Sequence, residues 1–322
     1  MATESGTLEP ADLAFRADVL AGLAAPIPAV PARWLYDRRG SELFEEITEL
    51  PEYYPTRTER ALLERHCSDV ARVAGTGAAV VEFGSGSSAK TPLLLRAVDP
   101  AAYVPIDISG DFLRDSAAAL QPSFPGLPIF PVEGDFMHPI RLPDAVANWT
   151  KLGFFPGSTI GNLVPRTAVD LLRAMKDTLG LGSWLLIGMD RVKDEAVLVR
   201  AYDDEAGVTA AFNLNLLHRI NRELDGTIPI DAFRHRAIWN DRMSRIEMHL
   251  EAVRDLAFTV AGKPFRFARG ASLHTANSHK SGLRDARLLL RAAGWGVVEE
   301  WTDDAGQFAL VLAEAEAPRF AP

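Results

Sequence analysis

The run Val80-Val81-Glu82-Phe83-Gly84-Ser85-Gly86, continuing through Ala89 to Lys90, holds the first residues whose types and spacing imply chemistry. A short β-branched run ends in Glu82, two glycines follow, and a helix-like Leu-Leu-Leu-Arg-Ala-Val comes after them. Glycine accepts positive φ and has no Cβ, so the backbone turns sharply and can approach a ligand closely. In an open α/β sheet that place is the crevice beyond the carboxyl end of a strand, where ligands bind. Ala89 stands where the fingerprint G-x-G-x-x-G needs its third glycine, and no G-K-[ST] phosphate loop follows. A cofactor without a pyrophosphate fits this pattern, with S-adenosylmethionine the leading candidate. A purely structural turn would carry the same two glycines.

The next strand ends repeat the theme. Asp107, about 20 residues beyond the glycines, can accept both ribose hydroxyls of an adenosine cofactor, or it and Ser109 merely cap the next helix. Gly134-Asp135-Phe136 closes a third strand. Asp135 suits an exocyclic amine and Phe136 the face of an adenine, although alone the triplet reads as an ordinary turn. In Phe154–Leu163, Gly157 and Gly161 loosen the backbone and Asn162 offers both a donor and an acceptor. In a methyltransferase such a loop lies near the transferring methyl, and otherwise Asn162 is a turn or cap residue. Tyr53-Tyr54, Tyr202-Asp203-Asp204 and His274–Lys280 supply hydroxyls and an amide suited to a zwitterionic amino acid, or else are surface loops. His274 and His279 are five apart in an expected loop without a nearby acidic partner, so no metal site is expected.

The elements that must position these residues alternate. Strand 78–83, helix 89–98, strand 102–106, helix 110–120, strand 128–132, strand 151–155, helix 166–178 and strand 183–189 imply βαβ units and a mostly parallel sheet. Before them come a helix over 11–24, a helix that Ser41 would cap and Pro51 end, and a helix over 58–73. After residue 190 the pattern shifts to a helical 194–223 and a period-two stretch over 232–268. Helix 282–293 and strands 295–301 and 307–314 then return to the first style. The expected fold is a nucleotide-type α/β domain with a mostly parallel sheet, interrupted by a second unit over 193–281 that joins residues 9–56.

Bulk properties narrow the classes. The 322 residues are 48% hydrophobic and 24% charged, as in globular chains. A net charge of −9 gives no basic footprint for nucleic acid. No apolar run reaches a membrane span, and the first ten residues lack the basic and hydrophobic regions of a signal peptide. The single cysteine, Cys67, excludes an internal disulfide framework and reads as a bystander. A cytoplasmic, soluble monomer is expected.

The segments RWLYDRRGSELFEEITELPEYYPTRTE, VVEFGSGSSAKT, GSTIGNL, RAYDDEAGVTAAFN, WNDRMSRIEMHL and WTDDAGQFAL together resemble one family, the S-adenosylmethionine-dependent L-histidine α-N-methyltransferases of ergothioneine biosynthesis. The resemblance spans nearly the whole chain and implies an α/β fold with a Rossmann-like class I methyltransferase domain, 57–192 plus 282–322, and a second, discontinuous substrate-binding domain, 9–56 plus 193–281. It implies that Tyr36, Gly84, Gly86, Lys90, Asp107, Asp135 and Phe136 line the cofactor site. It implies that Tyr53 faces the amino acid and that Asn162 and Tyr202 hold its carboxylate and orient its amine. Gly157 and Met248 would line the substrate pocket, with Ser278 near the imidazole. The implied product is the trimethylated α-amine, with S-adenosyl-L-homocysteine released. The chain departs from the family at one place. Where the family loop reads T-E-N-S and its Glu hydrogen-bonds the imidazole, this chain has Thr275-Ala276-Asn277-Ser278. Two alternatives follow: the same reaction on another aromatic amino acid such as L-tryptophan, or a catalytically dead cofactor-binding module.

Overall fold

A computed structural model describes residues 10–86 and 89–317. In chain order its elements are α1 (Pro10–Ala24), α2 (Arg38–Thr48), α3 (Tyr54–Ala74), β1 (Ala79–Phe83), α4 (Thr91–Val98), β2 (Ala102–Asp107), α5 (Gly110–Leu120), β3 (Val132–Glu133), β4 (Lys151–Phe155), α6 (Pro165–Leu179) and β5 (Trp184–Asp190). They continue with α7 (Glu195–Arg200), α8 (Val208–Glu223), β6 (Phe233–Asn240), β7 (Arg245–Ala252), β8 (Leu256–Val260), β9 (Lys263–Phe267), β10 (Ser272–His279), α9 (Leu283–Ala292), β11 (Trp295–Thr302) and β12 (Phe308–Ala315). Residues up to Tyr54 with Lys193–Ser278 form one compact unit, and Pro55–Val192 with the chain from His279 onward forms the other.

The unit that begins at Pro55 is built on a seven-stranded sheet ordered β11-β12-β5-β4-β1-β2-β3. β1 pairs in parallel with β2 and β4, and β12 runs antiparallel to β5. β1 is buried on both faces because helices cover both. Val81 and Phe83 pack with α6 residues such as Leu171 and Leu172, whereas Val80 packs with Leu62 and Leu63 of α3 and with Leu94 of α4. The chain leaves β1 toward β2 and β3, then returns through β4 on the other side. That reversal is the switch point of a doubly wound sheet, where a crevice opens at the strand ends. The glycine turn after β1 and the loop after β4 both start there.

The unit holding Tyr53 combines α1, α2, α7 and α8 with the sheet β10-β7-β6 and the hairpin β8–β9. Its core gathers Phe15, Trp34, Phe212, Leu216, Ile246 and Leu250.

Four sequence-based expectations need correction. α2 starts three residues before Ser41 and is capped by Asp37, whose Oδ1 accepts from Gly40 N at 2.8 Å. A Cβ at position 40 would stand 1.8 Å from Leu35 O, so the glycine there marks a close approach rather than a loop. The strand expected over 128–132 is only Val132–Glu133, joined by a single bridge from Ile129 to Tyr103. Pro128 and Pro131 have no N–H to give to a ladder. The helical stretch 194–223 is two helices, because Asp204 takes the backbone N–H groups of Val208 and Thr209 and starts α8 anew. Residues 272–279, read as a loop, form β10.

Candidate active site

In the α/β unit the glycine turn is held from below. Gly84 N and Ser85 N donate to Ile106 O at 2.8 and 3.1 Å, and Gly86 N donates to Asp107 Oδ2 at 3.1 Å. Gly84 and Gly86 take φ of +70° and +49°, which disfavours other residues there. Phe136 closes over the turn, 3.4 Å from where a Cβ of Gly84 would be, and packs edge-on against Phe83 and Phe155. Asp107 Oδ1 accepts from Ser109 N at 3.0 Å. Ser109 is the N-cap of α5 but makes no side-chain cap bond, so α5 is started without the cap these two residues were read as offering. Asp135 is exposed and takes Met137 N at 3.0 Å.

The turn fits an adenosine cofactor on its own evidence. Each Asp107 oxygen takes one backbone N–H, and a carboxylate has about four acceptor positions, so two remain for hydroxyls. Ser85 Oγ is buried on the turn with no hydrogen-bond partner among the described residues. Behind it, Glu82 is buried and accepts from Thr91 Oγ1 at 2.7 Å and from the Tyr103 hydroxyl. Burial pushes its carboxyl up to about 7, against the pull of those two donors.

Lys90 forms an ion pair with Glu59, a fully buried residue of α3. Both Glu59 oxygens also lie 2.9 Å from Gly157 N. One carboxylate therefore ties α3 to the residue that caps α4 and to the loop after β4. In that loop Gly157 and Ser158 have φ of +81° and +55°. Ser158 Oγ accepts from Asp190 N at 2.8 Å, and His279 Nδ1 donates to Gly161 O at 2.9 Å. Asn162 ends the short 3-10 turn Thr159–Asn162, half-buried.

The other unit gathers Tyr36, Tyr53, Tyr202, Met248, Ala276 and Ser278. Aromatic rings run from Tyr36 to Phe212 (5.4 Å) and Phe44 (5.5 Å), from Phe44 to Tyr53 (6.2 Å) and from Tyr53 to Tyr202 (6.0 Å). The Tyr202 and Ser278 hydroxyls lie 2.7 Å apart. Met248 is buried on β7 opposite Ala237, and Ala276 is half-buried against the core. Gly84, Gly86, Lys90, Asp107, Asp135, Phe136, Gly157 and Asn162 all belong to the α/β unit.

His274 and His279 fall in different units. His274 does have acidic company: its ring stacks on His249 at 4.7 Å, and Glu247, His249 and His274 each bring a ligand atom within 4.8 Å of the others. Glu247 is already matched by Arg245 at 2.6 Å and Asn240 at 2.8 Å. Cys67 is buried, and burial pushes its thiol up to about 12, which suits an unreactive side chain.

Sequence reasoning missed Glu59, Asn213 and His235. Nothing local marks Glu59 off from the exposed Glu64 of the same helix. Asn213, the last residue of the RAYDDEAGVTAAFN segment, is fully buried.

A profile of the family described as "Histidine-specific methyltransferase, SAM-dependent" matches residues 15–315. A histidine N-alpha-methyltransferase of Mycolicibacterium smegmatis is 44% identical over 307 residues, 93% of this chain and 94% of the relative. One from Mycobacterium tuberculosis is 42% identical over 94% of this chain and 95% of its own length. Ergothioneine biosynthesis protein 1 of Neurospora crassa is 31% identical over 85% of this chain, which covers 32% of that longer protein.

Proposed function

Because the chain belongs to the family of histidine-specific, S-adenosylmethionine-dependent methyltransferases, we propose that it methylates the α-amino group of free L-histidine to the trimethylated amine and releases S-adenosylhomocysteine. The α/β unit is the cofactor-binding unit in this reading, and the unit holding Tyr53 binds the amino acid. The cofactor, when bound, supplies a methyl group already activated on a sulfonium. What remains for the chain is positioning, which can account for much of such a barrier.

Asp107 accepts the ribose hydroxyls with its remaining lone pairs. Asp135 takes the exocyclic amine of the adenine and Phe136 packs on the ring. Gly84 and Gly86 let the backbone come close, and Lys90 lines the same site. Tyr202 holds the acceptor carboxylate, and Met248 lines the pocket. The tyrosine hydroxyls accept a hydrogen bond from the neutral amine, so its lone pair points away from them. No His or Glu of the matched segments stands as a general base, and water takes the proton. The chain acts as a cytoplasmic monomer on a small molecule, and no helix of the described residues is long and apolar enough to cross a membrane.

The observation that supports acceptor binding most directly is the Tyr202–Ser278 hydroxyl pair at 2.7 Å, beside the ring of Tyr53. Calorimetry with S-adenosylhomocysteine and a methyl-transfer assay over the standard amino acids test the reading. Turnover of histidine supports it, and no turnover of any α-amino acid overturns it. Ala276 favours one second reading, in which a larger aromatic acceptor such as tryptophan takes the room left by the missing carboxylate. A higher kcat/KM for tryptophan than for histidine in the same panel would establish that reading instead.

A further inference from the structure

We propose that Thr275, Asn213 and His235 form a hydrogen-bond relay of fixed direction that positions Tyr202, Met248 and β10 as the wall of the acceptor pocket. The inference rests on the amino-acid-binding role just given to that unit. The three side chains are buried, with His235 only 1% exposed. They come from three elements, β10, α8 and β6. Thr275 Oγ1 lies 2.6 Å from Asn213 Oδ1, Asn213 Nδ2 lies 2.9 Å from His235 Nδ1, and His235 Nε2 lies 2.7 Å from Tyr202 O.

Each role in the relay has one solution. A carbonyl oxygen only accepts, so His235 Nε2 carries a hydrogen and donates to Tyr202 O. Asn213 Nδ2 also points at His249 O, 3.2 Å away, which fixes that end of the amide as the donor. Asn213 Oδ1 then accepts from the Thr275 hydroxyl, whose single hydrogen it shares, as the nearer acceptor at 2.6 Å, with Met248 O at 3.0 Å. His235 Nδ1 must therefore be bare. An imidazolium would set a second N–H against the amide N–H, so the relay exists only with neutral His235. The charged and titratable groups facing His235 are Asp203, whose Oδ1 is 4.0 Å from Nε2, Asp204 and His249. Burial lowers its pKa and outweighs the two aspartates.

The relay reaches three of the residues that would touch the acceptor. It holds the backbone of Tyr202, reaches the carbonyl of Met248, and anchors β10 at the residue before Ala276. The Tyr202–Ser278 hydroxyl contact closes the circuit at its far side. Asn213, Thr275 and His235 are thus positioning residues, acting through groups that meet the substrate.

His235→Phe keeps a ring of similar size and removes both of its hydrogen bonds. The acceptor KM should rise about tenfold, the size of one net hydrogen bond, while kcat at saturation and the Kd for S-adenosylhomocysteine stay within about twofold. The ¹⁵N NMR spectrum of the wild-type chain at neutral pH should show His235 as the neutral Nε2–H tautomer. Asn213→Asp should convert it to the imidazolium, because a carboxylate needs a donor from Nδ1. An Nδ1–H tautomer or a cation in the wild-type chain overturns the relay, as does an unchanged acceptor KM in a folded His235→Phe protein. If the wild-type chain turns over no amino acid, the proposed function falls, and the spectrum still decides the relay by itself.

Discussion

Replacing Glu59 with alanine should cost the α/β unit more than any other single truncation near the glycine turn. The carboxylate is fully buried, its ion-pair partner Lys90 keeps 16% of its side chain exposed, and Gly157 N points at both oxygens from 2.9 Å. Gly188 passes so close that a Cβ there would stand 1.9 Å from Oε1, so the pocket around the carboxylate has no slack. A buried ion pair adds little net stability, because desolvation offsets its attraction. Removing one partner is different, since it strands the other in a site built for a charge, at about 3–5 kcal/mol. For a unit of this size each kcal/mol lowers the melting temperature by about 2–4 °C, so Glu59→Ala should melt about 6–20 °C lower. Glu59→Gln keeps an acceptor for Gly157 N but not the charge, and should fall between the two.

Thermal unfolding followed by circular dichroism, with and without S-adenosylhomocysteine, measures both stability and linkage. Lys90 follows the glycine turn directly and caps α4. Releasing it should therefore weaken S-adenosylhomocysteine by about tenfold, the equivalent of one net hydrogen bond. A Glu59→Ala protein that melts within about 2 °C of wild type and binds S-adenosylhomocysteine normally would refute the assignment of Glu59 as the tie between α3, Lys90 and the loop after β4.

Asp107→Ala removes the acceptor for Gly86 N and Ser109 N as well as the proposed ribose contacts. S-adenosylhomocysteine affinity should drop by about 100-fold, two charge-assisted hydrogen bonds at the low end of their range, and calorimetry reads this directly. Ala276→Glu should raise kcat/KM for histidine by about 10- to 150-fold, from one charge-assisted contact of roughly 1.5–3 kcal/mol to the imidazole. A flat or lower value in the amino-acid panel counts against that contact. Glu82 is held up at about 7 by burial, above its ordinary 4.5, so the folded chain keeps a proton that the unfolded chain has released. Its contribution is therefore complete below 4.5 and is lost as pH rises toward 7, by about 3 kcal/mol. Glu82→Gln should gain on wild type in melting temperature across that window, and a constant difference at every pH excludes the shift.

The parts of the fold legible in the sequence are those set by local signals. β1, the glycine turn and Asp107 follow from a β-branched run, two glycines and an acidic strand end, all within 28 residues of one another. Periodicity overextends β3 because it ignores that Pro128 and Pro131 cannot donate. β10 escapes the periodicity for a related reason. Its sequence SLHTANSH is polar, and its buried positions include Thr275 and Ser278, which are satisfied by hydrogen bonds rather than apolar packing. Asn213 and His235 are 22 residues apart, and Thr275 is 62 from Asn213. Hydrogen bonds across such separations leave no local pattern, so a buried polar network looks like surface polarity until the strands are paired. Glu59 is the same case, 98 residues from Gly157.

These two kinds of residue divide the chemistry. Lys90 and Tyr36 aside, the groups given to the cofactor lie at strand ends and are largely local, whereas acceptor choice in the proposed reading depends on long-range partners and on one position, 276. A site that hydrogen-bonds a polar group rejects analogues lacking it by about 10⁴–10⁵, because its own buried groups would go unpaired. A carboxylate at position 276 would make that demand of a histidine side chain, and Ala276 does not. In the proposed reading, selection between aromatic side chains then rests on Met248, on Ser278 and on shape, and pocket shape alone separates close analogues by about 10–200-fold. Ser278 is already engaged by the Tyr202 hydroxyl, so it can receive a ring N–H without being stranded when none is offered. The proposed pocket is thus expected to be permissive toward the side chain and strict toward the amino-acid end, which an amino-acid panel reads directly. In the proposed reading that arrangement keeps the α-amine in place for repeated methylation of histidine, and comparable kcat/KM values for histidine and tryptophan in the panel are the expected sign of the relaxed side-chain demand at position 276.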